Sequence, residues 1–225
     1  MPSSLQPTLD FLRDLRSNNT REWFEANRKR YDAAKSAVEA LARDLIAQFT
    51  PIESDLGALA PKDCLFRINR DVRFSADKTP YKTNMGMVIG RGGRKGDGRS
   101  YYLHIEPDGN SFIGGGVYAP SPEQLRAIRE EIATHPQRLQ NILNAPDFVG
   151  YYGTLQGDTL KTMPKGYPAD HPSAALLKHK TWVALHPLSD EQLLSDSFSA
   201  YYLAACAALK PLEAYLKAIP VPHPA

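Results

Sequence analysis

The chain has 225 residues, a formal net charge of +2, and 42% hydrophobic against 23% charged residues. That length suits one large domain or two small ones with a real hydrophobic core, and the small net charge argues against a general binder of nucleic acid or membrane surfaces. Two cysteines, Cys64 and Cys206, lie far apart without a C-x-x-C pair, which argues against a disulfide framework or a zinc site.

The first 50 residues read as helix. A short helix over "PTLDFLRDLRS" precedes a long one from about residue 20, with Asn19 as its N-cap and Glu22 three residues on. Phe24, Tyr31, Val38 and Leu45 recur every seven residues, and Ala34, Leu41 and Phe49 fill the same stripe. Pro51 closes this helix because it lacks the backbone donor a continuing helix needs.

From residue 64 the period changes to two. "CLFRINRDVRF", "MGMVIG", "SYYLHIEP" and "NSFIGGGVYAP" read as strands, and "PDGN" between the last two has tight-hairpin chemistry. "GRGGRKGDGRS" reads as a mobile loop, and Gly114 to Gly116 mark a bulge or close backbone approach. Helix returns at "SPEQLRAIREEIATH", with Ser121 as N-cap and Pro122 at the first helical position, and again at "PQRLQNILN". Residues 148–172 read as irregular, followed by a short helix and a strand near "KTWVALHP". The C-terminal part is helical from about Ser189, with Tyr202, Ala205, Leu209, Leu212, Leu216 and Ile219 on one face and a kink at Pro211. The expectation is a single α+β domain over residues 1–225. A largely antiparallel sheet of hairpin-connected strands (61–120) follows a helical part (1–60) and precedes a mixed, helical part (121–225).

The charge is unevenly spread. Residues 62–99 hold ten Lys/Arg and four Asp/Glu, so 10 − 4 = +6, while the remainder balances at 17 − 21 = −4. A local positive field in a near-neutral chain points to a bounded anionic partner. Read as a strand, residues 66–74 place Arg67, Asn69, Asp71 and Arg73 on one face. Phe66, Ile68, Arg70, Val72 and Phe74 then form a core face, on which Arg70 needs a carboxylate or carbonyls. Arg67 and Arg73 are spaced to hold an anion, with Lys78, Tyr81 and Lys82 closing over it and Asn69, Arg70, Asp71 and Asp77 orienting or scaffolding. A structural ion-pair network produces the same residue list. His104 and Glu106, two apart on one strand face with Tyr102, are a weaker acid/base pair, equally read as polar residues turned to water. No phosphate-loop, nucleophile-elbow or metal motif is present, so no cofactor or metal is expected and no reaction is named.

The pattern R-x-x-R-D-x-R-F followed by D-K-x-x-Y is carried by Arg67, Arg70, Asp71, Arg73, Phe74, Asp77, Lys78 and Tyr81. It resembles the signature of a bacterial family known as domain of unknown function 2461. "REWFEANRKRYD", "GGGVYAPSPEQLRAIR" and "PKGYPADHP" are similar to other blocks of that family, so the resemblance covers nearly the whole chain. The resemblance implies a single-unit domain and flags the motif without implying an activity. Two functions remain open: an enzyme or sensor for a small anionic or phosphorylated ligand, and a module docking nucleic acid or an acidic protein. Nucleic acid is the less favoured partner. No charged-then-apolar opening segment and no run of about 18 apolar residues occurs, which sets the expectation of a cytoplasmic protein without membrane contact.

Overall fold

The computed structural model describes residues 5–51, 53, 56, 58–96 and 100–221. Helices α1 (Gln6–Ser17), α2 (Arg21–Ala26), α3 (Arg28–Phe49) and α4 (Pro61–Cys64) precede strand β1 (Met85–Gly90) and a 3-10 turn (Gly93–Lys95). Strands β2 (Ser100–Ile105) and β3 (Ser111–Val117) lead to α5 (Pro122–Thr134), α6 (Pro136–Leu143), α7 (Pro146–Tyr152) and α8 (Ala174–Leu177). Strand β4 (Trp182–Leu188) precedes α9 (Asp190–Leu194) and α10 (Phe198–Ala218). The strands form one antiparallel sheet in the order β1-β2-β3-β4, so the fold class is α+β. The chain divides into two compact units, residues 1–113 with 187–204, and residues 114–186 with 205–225.

In the first unit, Leu9, Phe11, Leu12 and Leu15 of α1 are buried, as are Ala34, Val38, Leu41 and Leu45 of α3. The stripe read from the sequence is therefore the core face, but the helix is not continuous. It breaks at Asn27, whose side chain donates to the Trp23 carbonyl at 2.9 Å. The N-cap is Thr20, which accepts from the Trp23 amide, and not Asn19. Asn19 is used elsewhere: it donates to the Tyr81 carbonyl at 2.9 Å and accepts the Tyr81 amide at 3.1 Å.

Strands β1 and β2 pair with Gly86 opposite His104 and Met87 opposite Leu103. Directly paired residues share a face. Met87, Ile89, Tyr101, Leu103 and Ile105 thus form the core side, while Gly86, Val88, Tyr102 and His104 form the outer side. The β2–β3 hairpin turns at residues 107–110 as the turn chemistry predicts, with Asp108 and Gly109 both at positive φ (67° and 73°). The turn is tied by longer-range contacts: Arg13 donates to Asp108 at 2.8 Å and to Asp190 at 2.6 Å, and Asp190 accepts the backbone amides of Asp108 and Gly109.

In the second unit, Ile128, Ile132, Leu139, Phe148, Trp182, Leu209, Leu212 and Leu216 are buried. Helix α5 starts at the expected N-cap Ser121, which forms a capping box with Gln124, and Pro211 lies inside α10. Gly116 (φ 105°) stands where a Cβ would lie 2.0 Å from the Trp182 carbonyl oxygen, the close approach expected of that glycine run. The segment read as irregular from residue 148 begins within α7 instead. Among the described residues no helix is long and apolar enough to cross a membrane.

Candidate functional site

The stretch read as a strand over residues 64–74 is not one. Leu65 bridges Met87 along the free edge of β1, Asn69 bridges Tyr81, and the rest is turn and loop. Phe66 is half-exposed and Phe74 is 96% exposed, so the expected apolar face does not form. The alternation was satisfied by local ion pairs instead. Arg70 donates to the carboxylate of Asp77 and to the Thr79 hydroxyl, and reaches the Thr79 carbonyl at 3.2 Å. Its side chain is 24% exposed, so it is paired as expected but only part-buried. Arg73 clamps Asp71 through Nε at 2.9 Å and Nη2 at 2.6 Å, and Lys78 donates to the Val72 carbonyl at 3.0 Å. Residues 70–79 therefore form a self-paired loop. Thr79 amide donation and the Arg70 guanidinium hold the Asp77 carboxyl below its ordinary range, and the Arg73 side chain does the same for Asp71.

Tyr81 is 6% exposed and stacks on Phe24 with centroids 3.9 Å apart and planes at 14°. With its backbone tied to Asn19 and its ring on Phe24, it anchors the motif to α2. Arg67 and Lys82 are placed differently. Among the described residues Arg67 makes no hydrogen bond or ion pair, and it lies on the wall of a cleft of about 240 Å³. That wall brings in cations the sequence reading did not single out: Lys35 of α3, Lys62 of α4 and Arg94 of the 3-10 turn. Among the described residues Glu39 is the one carboxylate on that wall, so their balance is 4 − 1 = +3. Leu65, Phe66, Ile68 and Met85 form its apolar part. Lys35 pairs with Glu39 at 3.5 Å, and Arg94 donates to the backbone carbonyl of Asp63 at 3.2 Å, which spends their charge only in part.

The 3-10 turn is held where it is because Gly93 (φ 58°) is buried with no room for a side chain: a Cβ there would meet the Asp63 carbonyl at 2.5 Å. Within the segment read as a mobile loop, Gly93 is thus buried against α4 while residues 91, 92 and 94–96 are exposed, and residues 97–99 lie outside the described residues. Lys82 is half-buried with its ammonium 5.8 Å from the Phe66 ring centroid. Burial and the neighbouring Arg67 charge depress its pKa, as expected of two cations held near each other.

His104 and Glu106 are not simply turned to water. His104 Nε2 lies 2.9 Å from the Glu106 carboxylate, its Nδ1 lies 3.1 Å from the Tyr102 hydroxyl, and Thr83 donates to Glu106 at 3.2 Å. The His104 ring stacks on Phe112 at 4.5 Å and 10°. Among the described residues no cluster of three or more His, Cys, Asp or Glu side chains is placed to hold a metal ion.

The fold and this surface define an α+β protein with a basic, part-apolar cleft beside the edge of an antiparallel sheet. The family model described as conserved hypothetical protein (DUF2461) matches residues 7–215, and the chain belongs to that family. No curated protein and no solved structure matches it.

Proposed function

We propose that the cleft between α3, α4 and residues 65–68 binds a small oxyanion, phosphorylated or carboxylate-bearing, with Arg67 as its principal contact. One observation carries this reading. Among the described residues Arg67 stands unpaired on a cleft wall, whereas Arg70 and Arg73 close by in the sequence are each matched by an aspartate. Unbalanced cations raise the energy of the empty state, and an anion with two or three oxygens relieves it through charge-assisted hydrogen bonds. Phe66, Leu65 and Ile68 supply an apolar floor for the body of such a ligand. Arg73, expected from strand spacing to share the anion, is assigned to the self-paired loop instead.

The test is a thermal-shift panel of phosphate, sugar phosphates, nucleotides and short oligonucleotides at low and moderate salt. A ligand at about 100 times its Kd stabilises by about 2.7 kcal/mol, or about 5–10 °C for a chain of this size. Arg67→Ala should remove the shift and Arg73→Ala should keep it. A response confined to oligonucleotides, falling steeply with salt, would instead mark a nucleic-acid module.

A further inference from the structure

Phe66 and Gly86, both on the cleft wall, also touch the outer face of β2. The Phe66 ring meets Tyr102 edge-on with centroids 6.0 Å apart. At Gly86 a Cβ would fall 2.5 Å from the Tyr102 hydroxyl oxygen, so that oxygen packs directly over a glycine that itself lines the cleft. Behind Tyr102 runs an ordered line: Tyr102 Oη to His104 Nδ1, His104 Nε2 to Glu106, and Glu106 to Thr83.

The line has a definite polarity. While His104 is neutral, Glu106 as a carboxylate only accepts, so the ring proton sits on Nε2 and Nδ1 is a lone pair. The Tyr102 hydroxyl donates to that lone pair and so has no proton left for the cleft. When His104 takes up a proton at Nδ1, the new N–H donates to Tyr102 Oη, and the hydroxyl proton is released to turn outward. From this geometry we infer that Tyr102 is the proton-donating contact of the cleft's oxyanion, and that His104 and Glu106 are positioning residues that switch it on.

This rests on the cleft reading above. The balance is simple: binding the anion draws one proton from solvent onto Nδ1. If the bound ligand must itself be protonated, Tyr102 passes its hydroxyl proton to a ligand oxygen and recovers the one on Nδ1, leaving His104 neutral. The surroundings fit. Phe112 from β3 covers the His104 ring, Gly86 of β1 is opposite it, and Thr83 reaches Glu106 from the segment before β1. The nearby cation Lys82 lies over Phe66. Burial and the Glu106 charge push Tyr102 up to about 12, so the phenol keeps its proton at neutral pH and serves as a donor.

Sulfate is the probe, because its own charge does not change near neutral pH. Calorimetric titration from pH 6 to 8, in two buffers of different ionisation enthalpy, should show uptake approaching one proton per sulfate. Affinity should fall by up to about tenfold per pH unit on the alkaline side. Tyr102→Phe keeps the ring packing and should bind sulfate more weakly, without proton uptake and with a flat pH profile. His104→Gln should bind with the same flat profile, and Gly86→Ala, which displaces the hydroxyl, should behave like Tyr102→Phe. Proton uptake that persists in His104→Gln, or wild-type binding with no uptake at any pH, overturns the proposal while leaving the cleft reading intact. Absence of sulfate binding by the wild type removes both.

Discussion

Replacing Tyr81 separates an anchoring role from a ligand-contacting one. Its ring is buried against Phe24, and the two bonds from Asn19 engage its backbone, so Tyr81→Ala leaves those bonds possible and deletes only the side chain. Truncating a buried aromatic costs about 3–5 kcal/mol, of which the stacking geometry accounts for about 0.5–1.5. For a chain of this size each kcal/mol lowers Tm by about 2–4 °C, so a fall of about 6–20 °C follows. Urea denaturation is the direct assay, read as a reduced midpoint at constant slope. Tyr81→Phe keeps the stack and should change both stability and anion affinity little. A Tyr81→Ala protein that loses less than about 1 kcal/mol yet no longer responds to anions would refute the anchoring role.

Asn19→Ala strips both partners from the Tyr81 backbone at a part-buried site and should destabilise by about 1–3 kcal/mol in the same denaturation assay. Gly116→Ala forces a side chain into a positive-φ position and against the Trp182 carbonyl, so little soluble folded protein should be recovered on expression. Asp77 has a depressed pKa in the fold, so its contribution is present above the unfolded-state pKa and is lost as pH falls through the folded value. The stability difference between wild type and Asp77→Asn, measured by denaturation from pH 7 down to 2, should therefore shrink toward acid. Cys64 is buried and its thiol is pushed up to about 11, chiefly by burial. It should resist a thiol reagent at pH 8 until denaturant is added.

Much of the fold is legible in the sequence because local and global signals agree there. The α3 stripe, the Ser121 N-cap and the Pro107–Asn110 turn each combine a period with a boundary residue, and each appears in the structure. Residues 64–74 mislead because alternation of charge and apolarity has two physical sources. Here the arginines alternate to meet aspartates within the same loop, Arg70 with Asp77 and Arg73 with Asp71, rather than to line a pleated face. Asn19 misleads in a similar way: its amide suits an N-cap, but its bonds go to Tyr81, 62 residues on, and Thr20 takes the cap. The candidate cleft is only half legible. The excess of positive charge in residues 62–99 is visible, yet nothing local says that Lys35 on a helix and Arg94 after a strand converge with Arg67. The Tyr102–His104–Glu106 line was readable as a shared strand face. Its ordering, however, depends on Phe112 and on the glycine opposite His104, which only strand register reveals.

On the proposed reading an oxyanion seats beside Arg67 in the cleft rather than on the Arg73 loop. Crystals soaked in selenate and measured at the selenium absorption edge test it directly. The expected result is an anomalous peak within hydrogen-bond reach of the Arg67 guanidinium, bordered by Lys62 and Arg94 and missing in Arg67→Ala crystals. A peak against Arg73 or Lys78 with an empty cleft, or a cleft peak that survives Arg67→Ala unchanged, would contradict it.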